Sequence, residues 1–155
     1  MENEISRREF LAGAVAAAGG IALGAASIAQ PQEALAAQTF KVKVGGQTFK
    51  AKLASTKAAA QFKDLLATKK QRLTMTELNG NEKYKYLDVS FSTEGSTRPS
   101  TINAGDIMLY GSNCIVLFYK THANDGYSYT KIGHIKNTAG LATAAGTSAC
   151  TVVFK

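Results

Sequence analysis

The side chains in this 155-residue chain that could do chemistry are few, and most lie in its second half. Tyr110, Phe118, Tyr127 and Tyr129 offer flat apolar surface, and the tyrosines add hydroxyls. A groove for a peptide or small ligand uses that combination. Phe118 stands in the all-apolar run 114–119, so core packing competes with a groove role there. His122 and His134 are twelve residues apart with no Cys or acid at ligand spacing, which predicts no metal site. Glu77, Glu82 and Asp88 are spread across a turn without an opposing acid and read as solvated charges. No spacing supports a Ser-His-Asp arrangement. Gly45-Gly46 precedes a strand pattern, where a phosphate-cradling loop needs a helix, so no cofactor is expected. Cys114 and Cys150 are the only thiols. A disulfide closing the roughly 36 residues between them would stabilise the fold by about 3–4 kcal/mol; two buried thiols are the other reading, and spacing leaves both open.

These residues need a scaffold, and the periodicities supply a β one. Residues 39–44 and 47–53 alternate apolar and polar around Gly45-Gly46, which predicts a hairpin with a primed turn. Its polar face carries Lys41, Lys43, Lys50 and Lys52. Ser55 or Thr56 can cap a helix with Ala58, Ala59, Phe62, Leu65 and Leu66 on one face, ending in the basic cluster 69–72. Strand patterns follow over 73–78, 83–87, 107–110, 114–119 and 127–135, with loops at 91–100 and 120–126. A short helix over 139–145 and a strand over 151–154 close the chain. The fold class is mainly β: a closed eight-stranded antiparallel barrel capped by two short helices, closure removing the exposed edges.

The N-terminus reads as an address. Ser6-Arg7-Arg8-Glu9-Phe10-Leu11 precedes an uncharged run to Ala29, then Pro31 and the small-x-small pattern Ala34-Leu35-Ala36. That is the three-part layout of a secretory signal, and the paired Arg7 and Arg8 resemble the twin-arginine motif. The expected division is a signal peptide over 1–36 and a domain over 37–155. The partners in export are the twin-arginine translocase and signal peptidase, and the destination is the periplasm, cell wall or extracellular space. The alternative is an uncleaved N-terminal membrane anchor, which the Ala- and Gly-rich run disfavours. Losing two Arg and four Glu with residues 1–36 raises the net charge from +7 to +9. The charge is mostly lysine scattered along strands. Nucleic-acid binding would want Arg and aromatics interleaved on one face, so no nucleic acid is expected; an anionic cell surface is the charge-driven alternative. The expected state is a monomer.

Four segments add a family resemblance: 73–82 (LTMTELNGNE), 105–110 (GDIMLY), 117–119 (LFY) and 132–135 (IGHI). They resemble the bacterial cyclophilin-like fold family over nearly the whole domain. The resemblance implies the same eight-stranded barrel with two helices. It also implies peptidyl-prolyl isomerisation as a candidate activity, in which a pocket holds the proline ring and an Arg donor weakens the amide resonance. The enzymes carry that Arg in an F-x-R segment; the comparable strand here has Tyr84 and Tyr86 but no Arg. Their His falls on Tyr129. Arg98, in the 91–100 loop, could swing over the barrel face as a substitute donor, beside Phe118 and Tyr129; otherwise it is a solvated loop residue. The first expectation is an exported binding domain of unassigned activity. The second is an extracytoplasmic isomerase with a rearranged site.

Overall fold

The computed structural model describes residues 38–155. The export signal, with Arg7, Arg8, Ala34 and Ala36, lies outside the described residues. The chain runs β1 (Thr39–Val44), β2 (Gln47–Leu53), α1 (Lys57–Thr68), β3 (Gln71–Leu78), β4 (Glu82–Tyr86), β5 (Thr101–Ile102), β6 (Asp106–Tyr110), β7 (Cys114–Phe118), β8 (His122–Ala123), β9 (Tyr129–Ile135), α2 (Leu141–Ala145) and β10 (Cys150–Phe154). Eight of these strands close an antiparallel barrel in the order β1-β10-β3-β4-β7-β6-β9-β2. The remaining two, β5 and β8, pair only with each other.

Several element ends shift by one or two residues from the sequence reading, and three differences have a clear local reason. The strand expected from Tyr127 begins at Tyr129, because Asn124 holds Tyr127 in a turn: its Nδ2 donates to the Tyr127 carbonyl at 2.8 Å and its Oδ1 accepts from the Tyr127 amide at 3.1 Å. The loop 120–126 contains β8, which pairs with β5 beyond the 91–100 loop. The basic cluster does not end the helix as a unit, since Gln71 and Arg72 already belong to β3. Thr68 donates to the Leu65 carbonyl at 2.8 Å and the backbone turns extended at Lys69. At the other end Thr56 is the N-cap, its hydroxyl accepting from the Ala59 amide at 3.1 Å. That bond satisfies one of the unpaired first-turn donors.

Strand alternation divides the molecule into two apolar clusters. On β7, Ile115, Leu117 and the following Tyr119 point into the barrel, whereas Cys114, Val116 and Phe118 point outward. On β6, Ile107 and Leu109 point in and Met108 points out. The interior cluster is completed by α1, whose Phe62 meets Phe40, Phe91 and Phe154 edge to face at centroid distances of 5.8, 6.2 and 5.6 Å. Gly133 lets β9 come close to β2. A Cβ there would lie 2.5 Å from the Lys52 carbonyl oxygen and 2.9 Å from the Phe40 ring, so only Gly fits without displacement. Lys41, Lys43, Lys50 and Lys52 are exposed on the outer side of the hairpin, where charge keeps strand surface in water.

The barrel interior also holds one charge. Lys83 is fully buried, and its ammonium donates to a Glu77 carboxylate oxygen, to the Gly146 carbonyl at 3.0 Å and to the Ser148 carbonyl. Tyr119 donates to the other Glu77 oxygen at 2.7 Å, and the Tyr119 ring centroid lies 5.1 Å from the Lys83 Nζ. Every donor of the ammonium has a partner, as a buried cation requires. This network ties β3, β4 and the chain after β7 to the loop that leads from α2 into β10.

Candidate functional site

The outer cluster defines the site. Glu82, Tyr84 and Tyr86 alternate along β4, Cys114 and Val116 along the neighbouring β7, and Tyr110 ends β6. Because side chains two apart on a strand share a face, all six stand on the same outer side of the barrel. The β7–β9 connection folds back over that side. It brings His122, Asn124, Asp125 and Tyr127 to the rim and pins β8 against β5. Between these parts lies a cavity of about 500 Å³, closed at its far side by Leu78, Asn79 and Asn81 from the β3–β4 turn and by Tyr129 of β9. That turn is sharp because Asn79 and Gly80 both take positive φ, 54° and 69°, the backbone of a primed turn, within the three-residue loop between the paired Leu78 and Glu82.

Aromatic walls give the cavity its shape. Tyr110 meets Tyr127 at 6.1 Å and 78°, and Tyr129 at 5.9 Å and 54°; Tyr84 meets Tyr86 at 6.2 Å and 83°. Rings crossing at such angles make corners, not a flat platform. Below them Phe118, fully buried, packs on Tyr129 at 5.4 Å and on His122 at 5.5 Å. Of the five large apolar or aromatic side chains left exposed among the described residues, Leu78, Tyr86, Tyr110 and Tyr127 line this cavity, and Val89 does not. Clustered exposure of this kind makes a candidate interaction surface, whereas singly scattered exposure is ordinary.

Glu82 is the charged group of the wall. It is 9% exposed and borders the cavity, and no described residue donates a hydrogen bond to its carboxylate. Burial pushes its pKa upward; the positive charge of His122 opposes the shift and the negative charge of Glu77 adds to it. Burial and the Glu82 charge in turn push the Tyr129 hydroxyl up to about 12. They also push the Cys114 thiol up, so that this cysteine is a poor nucleophile. Asn81 Oδ1, in a residue of the same wall, is buried and has no donor either.

The residues singled out from sequence are distributed unevenly. Tyr110, Tyr127 and Tyr129 line the cavity together, and Phe118 supports it from beneath without lining it. Arg98 is exposed on the β4–β5 connection and is not among the lining residues; neither Arg nor Lys borders the cavity. Cys114 and Cys150 are free thiols. Cys114 faces the outer cluster and Cys150 packs against the interior one, so the barrel wall stands between them and the disulfide reading is set aside. Glu82 was read as a solvated charge and is instead buried beside the tyrosines. The signal that could have found it was the spacing Glu82-x-Tyr84-x-Tyr86, three alternate positions of one strand. His122, Asn124 and Asp125 carried no such pattern, because only the folded connection brings them over the face.

A closed eight-stranded antiparallel barrel with an aromatic-walled cleft on its outer side is the class this geometry defines. The chain belongs to the cyclophilin-like family, whose model matches residues 42–155. No curated protein matches the chain by sequence.

Proposed function

We propose that this protein is an exported cyclophilin-like domain that holds a peptide or small ligand in the outer cleft. The observation that carries the reading is the gathering of four of the five large apolar or aromatic side chains exposed among the described residues around one cavity of about 500 Å³, a size that suits a short peptide segment or a small molecule. Export rests on the twin-arginine-type pattern around Arg7 and Arg8. Prolyl isomerisation is the weaker reading, because no guanidinium borders the cleft and the prolyl nitrogen would lack its donor.

The test is a titration of the isotope-labelled protein with a mixed set of short peptides, followed by NMR. The expected result is a set of shifts confined to the residues around Tyr84, Tyr110, Tyr127 and Tyr129. Acceleration of prolyl isomerisation in a protease-coupled assay, abolished by Phe118→Ala, would defeat the binding reading in favour of the enzyme.

A further inference from the structure

We propose that the outer cleft selects a cationic ligand, an organic ammonium such as a lysine side chain or a free alkylamine, which docks on Glu82 between the tyrosines. The inference rests on the binding reading above and specifies its ligand chemistry. Glu82 is more than nine-tenths buried, borders the cavity and receives no hydrogen bond from any described residue. A carboxylate with so little exposure and no protein donor is poorly solvated, and a partner that brings a charged donor improves its surroundings. Glu82 therefore offers the cleft an acceptor, and no Lys or Arg side chain borders it.

The surroundings favour a positive charge over a neutral donor. Asp125 adds a second acid to the lining, His122 is its one imidazole, and no Lys or Arg borders it, although the chain as a whole carries a net charge of +7. Five tyrosines, Tyr84, Tyr86, Tyr110, Tyr127 and Tyr129, form the walls. Ring faces attract a cation through their quadrupole, most strongly where water is excluded. The steep angles between the ring pairs allow more than one face to meet the same group. A metal ion is a poorer match, since no three of His, Cys, Asp or Glu gather at ligand distance among the described residues. An anion is repelled by Glu82 and Asp125, and a purely apolar group would leave the Glu82 carboxylate unpaired.

The experiment compares N-acetyl-lysine-methylamide with its uncharged counterpart N-acetyl-norleucine-methylamide by calorimetry and NMR on the full chain. The lysine compound is expected to bind about tenfold tighter or better, with a preference that fades as salt rises. Glu82→Gln should reduce that preference to near unity while leaving norleucine binding in place. If Glu82→Gln does not fold, Tyr127→Leu, at an exposed position, serves instead: it should weaken the lysine compound and spare norleucine. Butylammonium distinguishes the sources, because affinity equal to that of the lysine compound points to a free amine and weaker affinity points to a peptide. Equal binding of the two amides overturns the inference and leaves the binding reading intact, as does a preference that survives both substitutions. If neither these compounds nor a mixed peptide set shifts the lining residues, both readings fall.

Discussion

Glu82 and Lys83 are neighbours on β4, both buried, both ionisable, and they face opposite sides of one barrel wall. Inside, Lys83 meets Glu77, two backbone carbonyls and the face of Tyr119. Outside, Glu82 meets aromatic walls and an open cavity, and no donor. The two ions differ in whether the protein itself supplies their partners. A charge that the protein has fully paired holds the fold together. One left without a protein donor at a concave surface is where the proposed ligand would add its charge.

The sharpest way to break this comparison is to remove each ion in turn. Lys83→Met leaves Glu77 partly buried without its cation and strands the Gly146 and Ser148 carbonyls, so it should destabilise the protein by about 3–5 kcal/mol. Urea unfolding followed by circular dichroism measures it. The loop after α2 should also lose amide protection in hydrogen exchange, because two of its carbonyls are anchored by this ammonium. If Lys83→Met unfolds at the wild-type urea midpoint, the interior network is not a fastener and the contrast with Glu82 fails.

Next in size is the packing that joins the two sides. Phe118 is fully buried beneath the cleft, against Tyr129 and His122. Phe118→Ala should cost about 3 kcal/mol, the lower part of the range for deleting a buried phenyl ring. It should also loosen Tyr129, so the NMR signals of the cleft tyrosines should broaden more than those of the interior Phe62. Equal broadening on both sides would mean that the cleft is not an independently supported cluster.

The apolar framework and the cleft tyrosines were readable from the sequence, and the two buried ions were not. Two-residue alternation marked β1 and β2, the 3.6-residue period marked the helix face with Phe62, and the apolar run at 114–119 marked a central strand, because these patterns depend on local backbone geometry. The chemistry of the tyrosine side chain, a flat apolar ring with a hydroxyl, made Tyr110 and Tyr129 groove candidates. Glu82 and Lys83 defeated such patterns, since an ionisable residue in a strand defaults to water unless a distant partner or a cover removes it. Their burial is set by Ser148 and Gly146, more than sixty residues away, and by the β7–β9 connection that folds over the outer face. The β5–β8 pair was hidden for a similar reason. Two-residue strands have no period to detect, and their pairing exists only because two long connections meet.

Glu82→Gln should move stability far less than Lys83→Met. The amide keeps the shape of the side chain and removes an unpaired charge, so thermal unfolding should shift to equal or greater stability, within about 1 kcal/mol. A loss as large as that of Lys83→Met would show that Glu82 is paired in a way the fold depends on, and the distinction between the two ions would collapse.

The smallest effect carries the clearest sign. Glu77 and Glu82 lie on consecutive strands yet depart from the ordinary carboxylate value of 4.5 in opposite directions. For Glu77, burial opposes the charge, but the hydrogen bonds from Lys83 and Tyr119 and the Lys83 charge outweigh it, and its pKa is lowered. Its contribution is therefore fully present above pH 4.5 and is lost as pH falls through the lowered folded value. For Glu82, burial raises the pKa, with His122 opposing and Glu77 reinforcing; Tyr129 and Cys114 are neutral neighbours in this range. The folded state then binds the proton more tightly than the unfolded chain. Stability should fall as pH rises from 4.5 through the raised folded value and stay level above it. Unfolding free energies measured in urea between about pH 3 and 8 for wild type, Glu77→Gln and Glu82→Gln separate the two. The difference between wild type and Glu82→Gln should decline towards neutral pH, and that between wild type and Glu77→Gln should decline towards acid. Two curves bending the same way would mean that both carboxylates sit in equivalent surroundings, and the wall between Glu82 and Lys83 would no longer divide a paired charge from an unpaired one.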